Sequence, residues 1–436
     1  MAFLHPHSGE ALRSELDLWT VPPTQTALEE AQWQHYKPVT SISQSNSIEF
    51  CVPGAGTDYI DPAHTLLYIK VKIVKQDGTD IAATDENDAG PINYLLNSMW
   101  SQCDVSLNQK LISQSALTYP ARAYMESLLA YDAPAKYTHM GMRFWYKDQG
   151  NLEAITAGGN AGLDLRRKLM KSSKPIEMLG PIHADFFNQD RFLINNVEMR
   201  IKLTRSRDSF VLMSTAGTEK LEILDASLMV RKVHLSPTVL LAHAAALERA
   251  PAKYPLTRVQ VQTVTIPLGL RDKSIPNLHI GQIPKRIVIG FIENQAHNGS
   301  YKHNPHNFQH FDLNYLSLYV DAKQYPAQPL TPDFANNSYV EAYNTLFAGT
   351  GIHFKDEGND ITYTEYSKGF TLYAFDVTPD LSAHESHWNL QKQGVVRLEL
   401  RFAAALPSAV NCIVYSEFNN LVEIDKNRSV IVDYSV

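Results

Sequence analysis

Between positions 65 and 75 the chain alternates with a period of two. Leu67, Ile69, Val71 and Ile73 fall on one side, and Tyr68, Lys70 and Lys72 on the other. That rhythm is the mark of a strand with one buried face. It returns where Val197, Met199, Ile201 and Leu203 alternate with Glu198, Arg200 and Lys202. Further strands are expected at 47–52, which Pro53-Gly54 ends, and at 221–235, 258–266, 285–293, 311–319, 370–376, 395–402, 411–418 and 429–434. Residues 104–112 read as a hairpin turning at Asn108-Gln109.

Helical signals are sparse. Pro120 opens a predicted helix that ends near Tyr131, with Ala121, Tyr124, Met125, Leu128 and Leu129 on one face. Such a stripe reads as core before it reads as a partner-binding face. A short helix is expected at 339–347 and a short polar one at 26–33. Ser236-Pro237 forms an N-cap and first-turn pair ahead of Leu240, Leu241, Ala244, Ala245 and Glu248, closed by Pro251. A glycine-rich loop lies at 158–162.

Helices this few, which do not alternate with strands, exclude a βαβ plan. Short strands joined by long loops describe an all-β protein made of antiparallel sandwiches of the jelly-roll type. A chain of 436 residues exceeds one core, and its strands fall into two similar sets. The expected division is an irregular arm at 1–45, a first sandwich at 46–235, a connecting helix at 236–252 and a second sandwich at 253–436. The repeat is one of plan, without residue-level identity between the halves.

Charge and chemistry narrow the function. A formal net charge of -7 argues against a body that wraps nucleic acid. The arm is acidic as well, holding only Arg13 and Lys37 against Glu10, Glu15, Asp17, Glu29 and Glu30 up to position 39. Cys51, Cys103 and Cys412 are odd in number and widely spaced, so a disulfide framework or zinc cluster is not expected, and reduced folding is favoured. No apolar run reaches membrane-spanning length, and the first ten residues lack a signal-peptide core. The sequons at Asn298, Asn336 and Asn427 read as chance.

Catalytic candidates are weak. His297, His303, His306 and His310 have spacings a zinc ion accepts, but Gly299, Asn304 and Pro305 between them indicate a polar loop. Gly54-Ala-Gly56 and Gly349-Thr-Gly351 are too short for a phosphate loop and read as turns. Asp356-Glu357 beside Gly358 reads as a solvated loop. The tyrosines and phenylalanines at 363–375 suit packing between sheets better than a sugar platform. No catalytic, cofactor or metal residue is assigned, and no cofactor is expected.

Several stretches form a recognisable set: Leu16-Asp-Leu-Trp-Thr-Val-Pro-Pro-Thr-Gln25, Ile48-Glu-Phe-Cys-Val-Pro-Gly54 running into Asp58-Tyr-Ile-Asp61, Thr118-Tyr-Pro-Ala-Arg-Ala-Tyr-Met-Glu-Ser-Leu-Leu129, Asn304-Pro-His-Asn-Phe308 and Tyr373-Ala-Phe-Asp-Val-Thr-Pro-Asp380. Together they resemble the major capsid protein of Polinton (Maverick) elements and adintoviruses, over nearly the whole chain. The resemblance implies a non-enzymatic double jelly roll that forms homotrimers. Such trimers are pseudo-hexagonal capsomers that tile an icosahedral virion shell, assembled inside the host cell beside minor or penton capsid proteins, without sequence-specific nucleic acid binding.

The arm is the candidate inter-subunit element, through Leu16, Leu18, Trp19, Pro22, Pro23 and Trp33, because Trp19, Trp33 and Tyr36 are costly to leave in water. Two alternatives stay open. One is a minor or vertex capsid protein, which needs one jelly roll per chain. The other is a two-domain β-sandwich glycan-binding protein, which needs an aromatic cleft with paired carboxylates.

Overall fold

The first half of the chain forms strands β1 (Leu28–Tyr36), β2 (Ser47–Val52), β3 (Tyr59–Lys75), β4 (Gly90–Pro91), β5 (Trp100–Leu107), β6 (Lys110–Leu111), β7 (Ile176–Pro181), β8 (Met199–Arg205), β9 (Leu212–Met213) and β10 (Glu219–Leu235). The second forms β11 (Ala252–Ile266), β12 (Asp272–Gln282), β13 (Arg286–Glu293), β14 (Leu313–Val320), β15 (Lys323–Leu330), β16 (Leu372–Asp376), β17 (Gln393–Phe402), β18 (Val410–Ile424) and β19 (Val430–Val432). The computed structural model describes residues 11, 13–42, 46–82, 89–113, 116–321 and 323–432.

Among the described residues, strands β4 and β9 pair only with each other, and β19 adds to β18. The remaining described strands number eight in each half, wired identically. One sheet runs β1-β10-β3-β7 in the first half and β11-β18-β13-β16 in the second. The facing sheet runs β2-β8-β5-β6 and β12-β17-β14-β15. In both halves the order is first-eighth-third-sixth against second-seventh-fourth-fifth, the wiring of a jelly roll.

Local sequence explains the central strands. In β3 the alternating Leu67, Ile69, Val71 and Ile73 are all buried. Strand β10 buries Leu221 and Ile223, then Ala226, Leu228 and Val230, then Val233 and Leu235, so its inward parity flips twice. Both flips coincide with register shifts against β3, at Ile223/Asp225 and Met229/Arg231. A bulge's extra residue turns the following side chains to the other face. The β5–β6 hairpin turns at Asn108 and Gln109 with φ of 44° and 67°, as a two-residue left-handed turn requires. At Gly54 a Cβ would lie 2.4 Å from the Val197 backbone, so this turn admits no side chain.

One expectation is reversed: residues 26–33 are not a polar helix. Leu28–Tyr36 is strand β1, hydrogen-bonded along β10 from Leu28 opposite Leu235 to Tyr36 opposite Leu228. Its exposed Glu29, Glu30 and Gln32 are polar because the strand is a sheet edge. The helices at Tyr119–Ala130, Pro237–Leu247 and Val340–Ala348 form as expected, although the Ser236 side chain makes no capping bond. The glycine-rich loop feeds directly into a helix, Ala161–Met170, whose Asn160 cap accepts from the Leu163 N–H at 3.3 Å.

The two rolls share one continuous hydrophobic core. Their contact is made by long insertions between strands. In the first roll, residues 112–175 between the fifth and sixth strands carry the Tyr119–Ala130 helix. In the second, the insertion at the same place, residues 331–371, carries the Val340–Ala348 helix.

Candidate assembly surfaces

A surface that meets other subunits must be held in a fixed pose, and the junction between the rolls provides that. Arg122 and Glu126 stand one turn apart on the Tyr119–Ala130 helix and pair at 2.8 Å. Arg122 also reaches Asp185 at 2.7 Å, and Asp185 accepts the Val259 N–H of the second roll at 3.1 Å. Glu126 binds His183 at 2.5 Å and accepts the Tyr415 hydroxyl at 3.2 Å. Glu417 in turn pairs with Arg286 at 3.1 Å. The chain of charge therefore runs from one roll to the other. Burial opposes ionisation of Glu126, but Arg122 and His183 outweigh it and hold its carboxyl at about 2.

Further contacts close the same seam. Lys136 donates from Nζ to the carbonyls of Leu128 at 2.8 Å and Asn359 at 2.7 Å. Asn304 donates to Asp148 at 3.0 Å, and Lys147 pairs with Glu365 at 3.0 Å. Tyr124 stacks on His306 with ring centroids 3.9 Å apart and planes 5° from parallel. A cleft of about 790 Å³ remains along this seam, lined by Glu126, His183, Lys285, Arg286 and Glu417 among others. Its charged groups are largely paired with one another.

The outward-facing candidates are the arm residues. A short 3₁₀ turn at Ser14–Leu16 leads into Asp17, whose carboxylate accepts the Thr20 N–H at 3.2 Å and the Thr20 hydroxyl. These bonds lower the Asp17 pKa. They fold 14–20 into a knob with its apolar groups outside: Leu18 is 74% and Trp19 87% exposed, with Leu16, Pro22 and Pro23 also exposed. Trp33 stands apart from this knob, on edge strand β1, and is 45% exposed. The arm thus presents two separate apolar features, not one patch.

The histidines do not converge. His306 is buried, with Nε2 2.9 Å from the Ser98 hydroxyl, and burial pushes its pKa down to about 3. His310 stacks on Phe334 at 4.1 Å, and His303 lies 3.2 Å from Glu293. Among the described residues no three His, Cys, Asp or Glu side chains are grouped to hold a metal. The aromatics near 363–375 pack on each other: Tyr339 stacks on Tyr363 at 4.5 Å, and Tyr366 and Tyr373 are fully buried. Asp356 and Glu357 are exposed, and all three cysteines carry free thiols.

Sequence reasoning missed the buried ion chain. Its one signal was the Arg122-to-Glu126 spacing on an otherwise apolar helix, since a charged pair four residues apart faces one side.

No protein-family model matches the chain. An uncharacterized protein of Caenorhabditis elegans is 24% identical over 426 residues, covering 95% of this chain and 99% of that protein. Among solved structures, a chain of the Sputnik virophage superposes with a TM-score of 0.63 at 11% identity, covering 98% of this chain and 93% of its own. The Faustovirus major capsid protein gives 0.60 at 8% identity, with coverage of 94% and 92%. The fold is a double jelly roll. The crystal structure of the mavirus major capsid protein agrees, with a TM-score of 0.52, 12% identity and coverage of 100% and 96%. In each case the covered share of this chain extends over both rolls.

Proposed function

We propose that this chain is a major capsid protein of the Polinton, Maverick and adintovirus kind, which acts by assembly and not by catalysis. One observation carries the reading. Two rolls with identical wiring sit in a single chain, so three chains present six alike units around a threefold axis. That is the requirement for a pseudo-hexagonal tile, and closed symmetry then allows the tiles to cover a shell.

Full-length likeness to the Faustovirus and mavirus major capsid proteins supports it. The count of two rolls favours a major over a vertex protein. The exposed, acidic arm, with Leu16, Leu18, Trp19, Pro22, Pro23 and Trp33, is the element that reaches neighbouring subunits. Contacts of modest strength become strong when repeated around a shell. The net charge of -7 leaves the genome to another, basic protein.

The test is the solution mass of the purified chain, measured by light scattering behind a sizing column. A species of three times the monomer mass is expected. A clean monomer at high concentration would overturn the trimer.

A further inference from the structure

The connecting helix Pro237–Leu247 is apolar in nearly every position, yet none of its residues is buried, and Leu241 is 72% exposed. A helix that is hydrophobic all round belongs under cover. Along one side it forms the wall of an open groove of about 660 Å³, whose apolar lining includes Phe192, Ile194, Val239, Ala246, Leu247 and Tyr254. The volume falls within the roughly 300–1,000 Å³ of built ligand pockets. The polar groups at the groove are Tyr59, Asp190, Arg191, His243 and Lys253. Lys253 pairs with Glu423 at 3.7 Å, and Arg191 donates to the Lys253 carbonyl at 2.6 Å, which holds its guanidinium at the rim. His243 is engaged by the Tyr59 hydroxyl at 3.0 Å.

The chain also holds a segment that fits such a groove. In the arm, Leu16, Leu18 and Trp19 alternate with Glu15 and Asp17, so apolar groups and carboxylates come in one short run. The Asp17–Thr20 bonds already hold that run compact, which reduces the ordering cost of docking. Ala27 and Leu28 stand on the rim of the chain's own groove, yet the knob does not turn back into it. Pro22-Pro23 supplies the reason: paired prolines stiffen the link as an extended spacer and aim the knob outward. From Trp19 to Ala27 the link spans about 26–29 Å at full extension, which carries the knob well clear of the chain's own groove.

We propose that residues 16–19 of one copy seat in the groove beside Pro237–Leu247 of a second copy, with the carboxylates of Glu15 and Asp17 toward Arg191 at its rim. The contact is head-to-tail, and a head-to-tail contact that closes makes a ring. The inference rests on the self-assembly reading above and names the receptor for the arm.

The test uses a fluorescently labelled peptide of residues 13–23 and three full-length proteins: the unaltered chain, the arm variant Leu18→Asp/Trp19→Asp, and that variant with Ala246→Arg added in the groove. Residues 18, 19 and 246 are all exposed, so folding should persist, and circular dichroism verifies it. The peptide is expected to bind the arm variant saturably, and Ala246→Arg should weaken it by about tenfold or more. No binding, or binding that Ala246→Arg leaves unchanged, overturns the docking.

Light scattering on the same samples separates this result from the trimer reading. A trimeric chain whose peptide ignores the groove refutes the docking alone. A monomeric chain whose peptide needs Ala246 refutes the trimer alone.

Discussion

Strands β10 and β18 hold the same place in their rolls, eighth in order and second across the sheet, but they are built to different rules. Strand β10 buries one face, shifts parity at two bulges and leaves Leu224 41% exposed. Strand β18 keeps one unbroken register with β11 and is buried at every position from 410 to 418. One of its faces meets its own roll, where Ser416 bonds His279 at 2.7 Å. The other meets the first roll, where Tyr415 reaches Glu126 at 3.2 Å. A strand covered on both faces loses its alternation and reads as a continuous run. The same fold position thus acquires a different sequence when a second domain is laid across it.

The comparison can be broken first at the seam. Arg122→Ala would leave Asp185 and Glu126 buried without their shared cation, and removing one member of such a cluster costs about 3–5 kcal/mol. Urea unfolding of the variant should show that loss, or the early release of one roll from the other. Next, the outer faces of the two eighth strands can be compared directly. Ile413 shares the Tyr415 face of β18 and is buried, so Ile413→Ala is expected to cost about 2–5 kcal/mol. Leu224→Ala on the outer side of β10 should stay within about 0.5 kcal/mol. Equal costs would show that the second roll's outer sheet face is not covered.

Acidity sharpens the picture with a smaller effect. Burial pushes His306 at the seam down to about 3 and His279 inside the second roll down to about 4. Both lie below the ordinary histidine value of about 6.5. Their stabilisation is therefore complete above about pH 6.5 and declines as pH falls toward the folded values, because the unfolded chain binds the protons first. Each contributes at most about 1.4 kcal/mol per pH unit in that window. His306→Phe keeps a ring against Tyr124 and should remove one proton's share of the slope, leaving that of His279. An unchanged slope in urea midpoints between about pH 4 and 6.5 would refute the buried, neutral state of His306.

Central strands β3 and β8 were legible in the sequence because one face of each meets a core and the other does not. Apart from the two-residue β4 and β9, the missed strands are β1, β7, β12 and β15, all sheet edges. Edge strands tolerate groups that a central ladder excludes. Strand β1 is rich in exposed Glu and Gln, β12 contains Pro276 and Gly281, and β15 contains Pro326 and Pro329. In β7, Gly180 and Pro181 end the run. Lacking the period-of-two signal, these segments read as loops or, at β1, as a polar helix. The arm's exposed Leu18 and Trp19 were legible as unpartnered apolar groups. The groove beside Pro237–Leu247 was not, since it joins residues from 27, 192, 239 and 254 that only the fold brings together.

The central claim is that two alike rolls, fixed in one pose by a buried polar seam, serve as a third of a six-unit tile. Electron microscopy of the purified oligomer tests it most directly. The account predicts end-on class averages with six lobes in threefold arrangement around a common axis. Particles of two lobes, or lobes with no fixed angle between paired rolls, would contradict it.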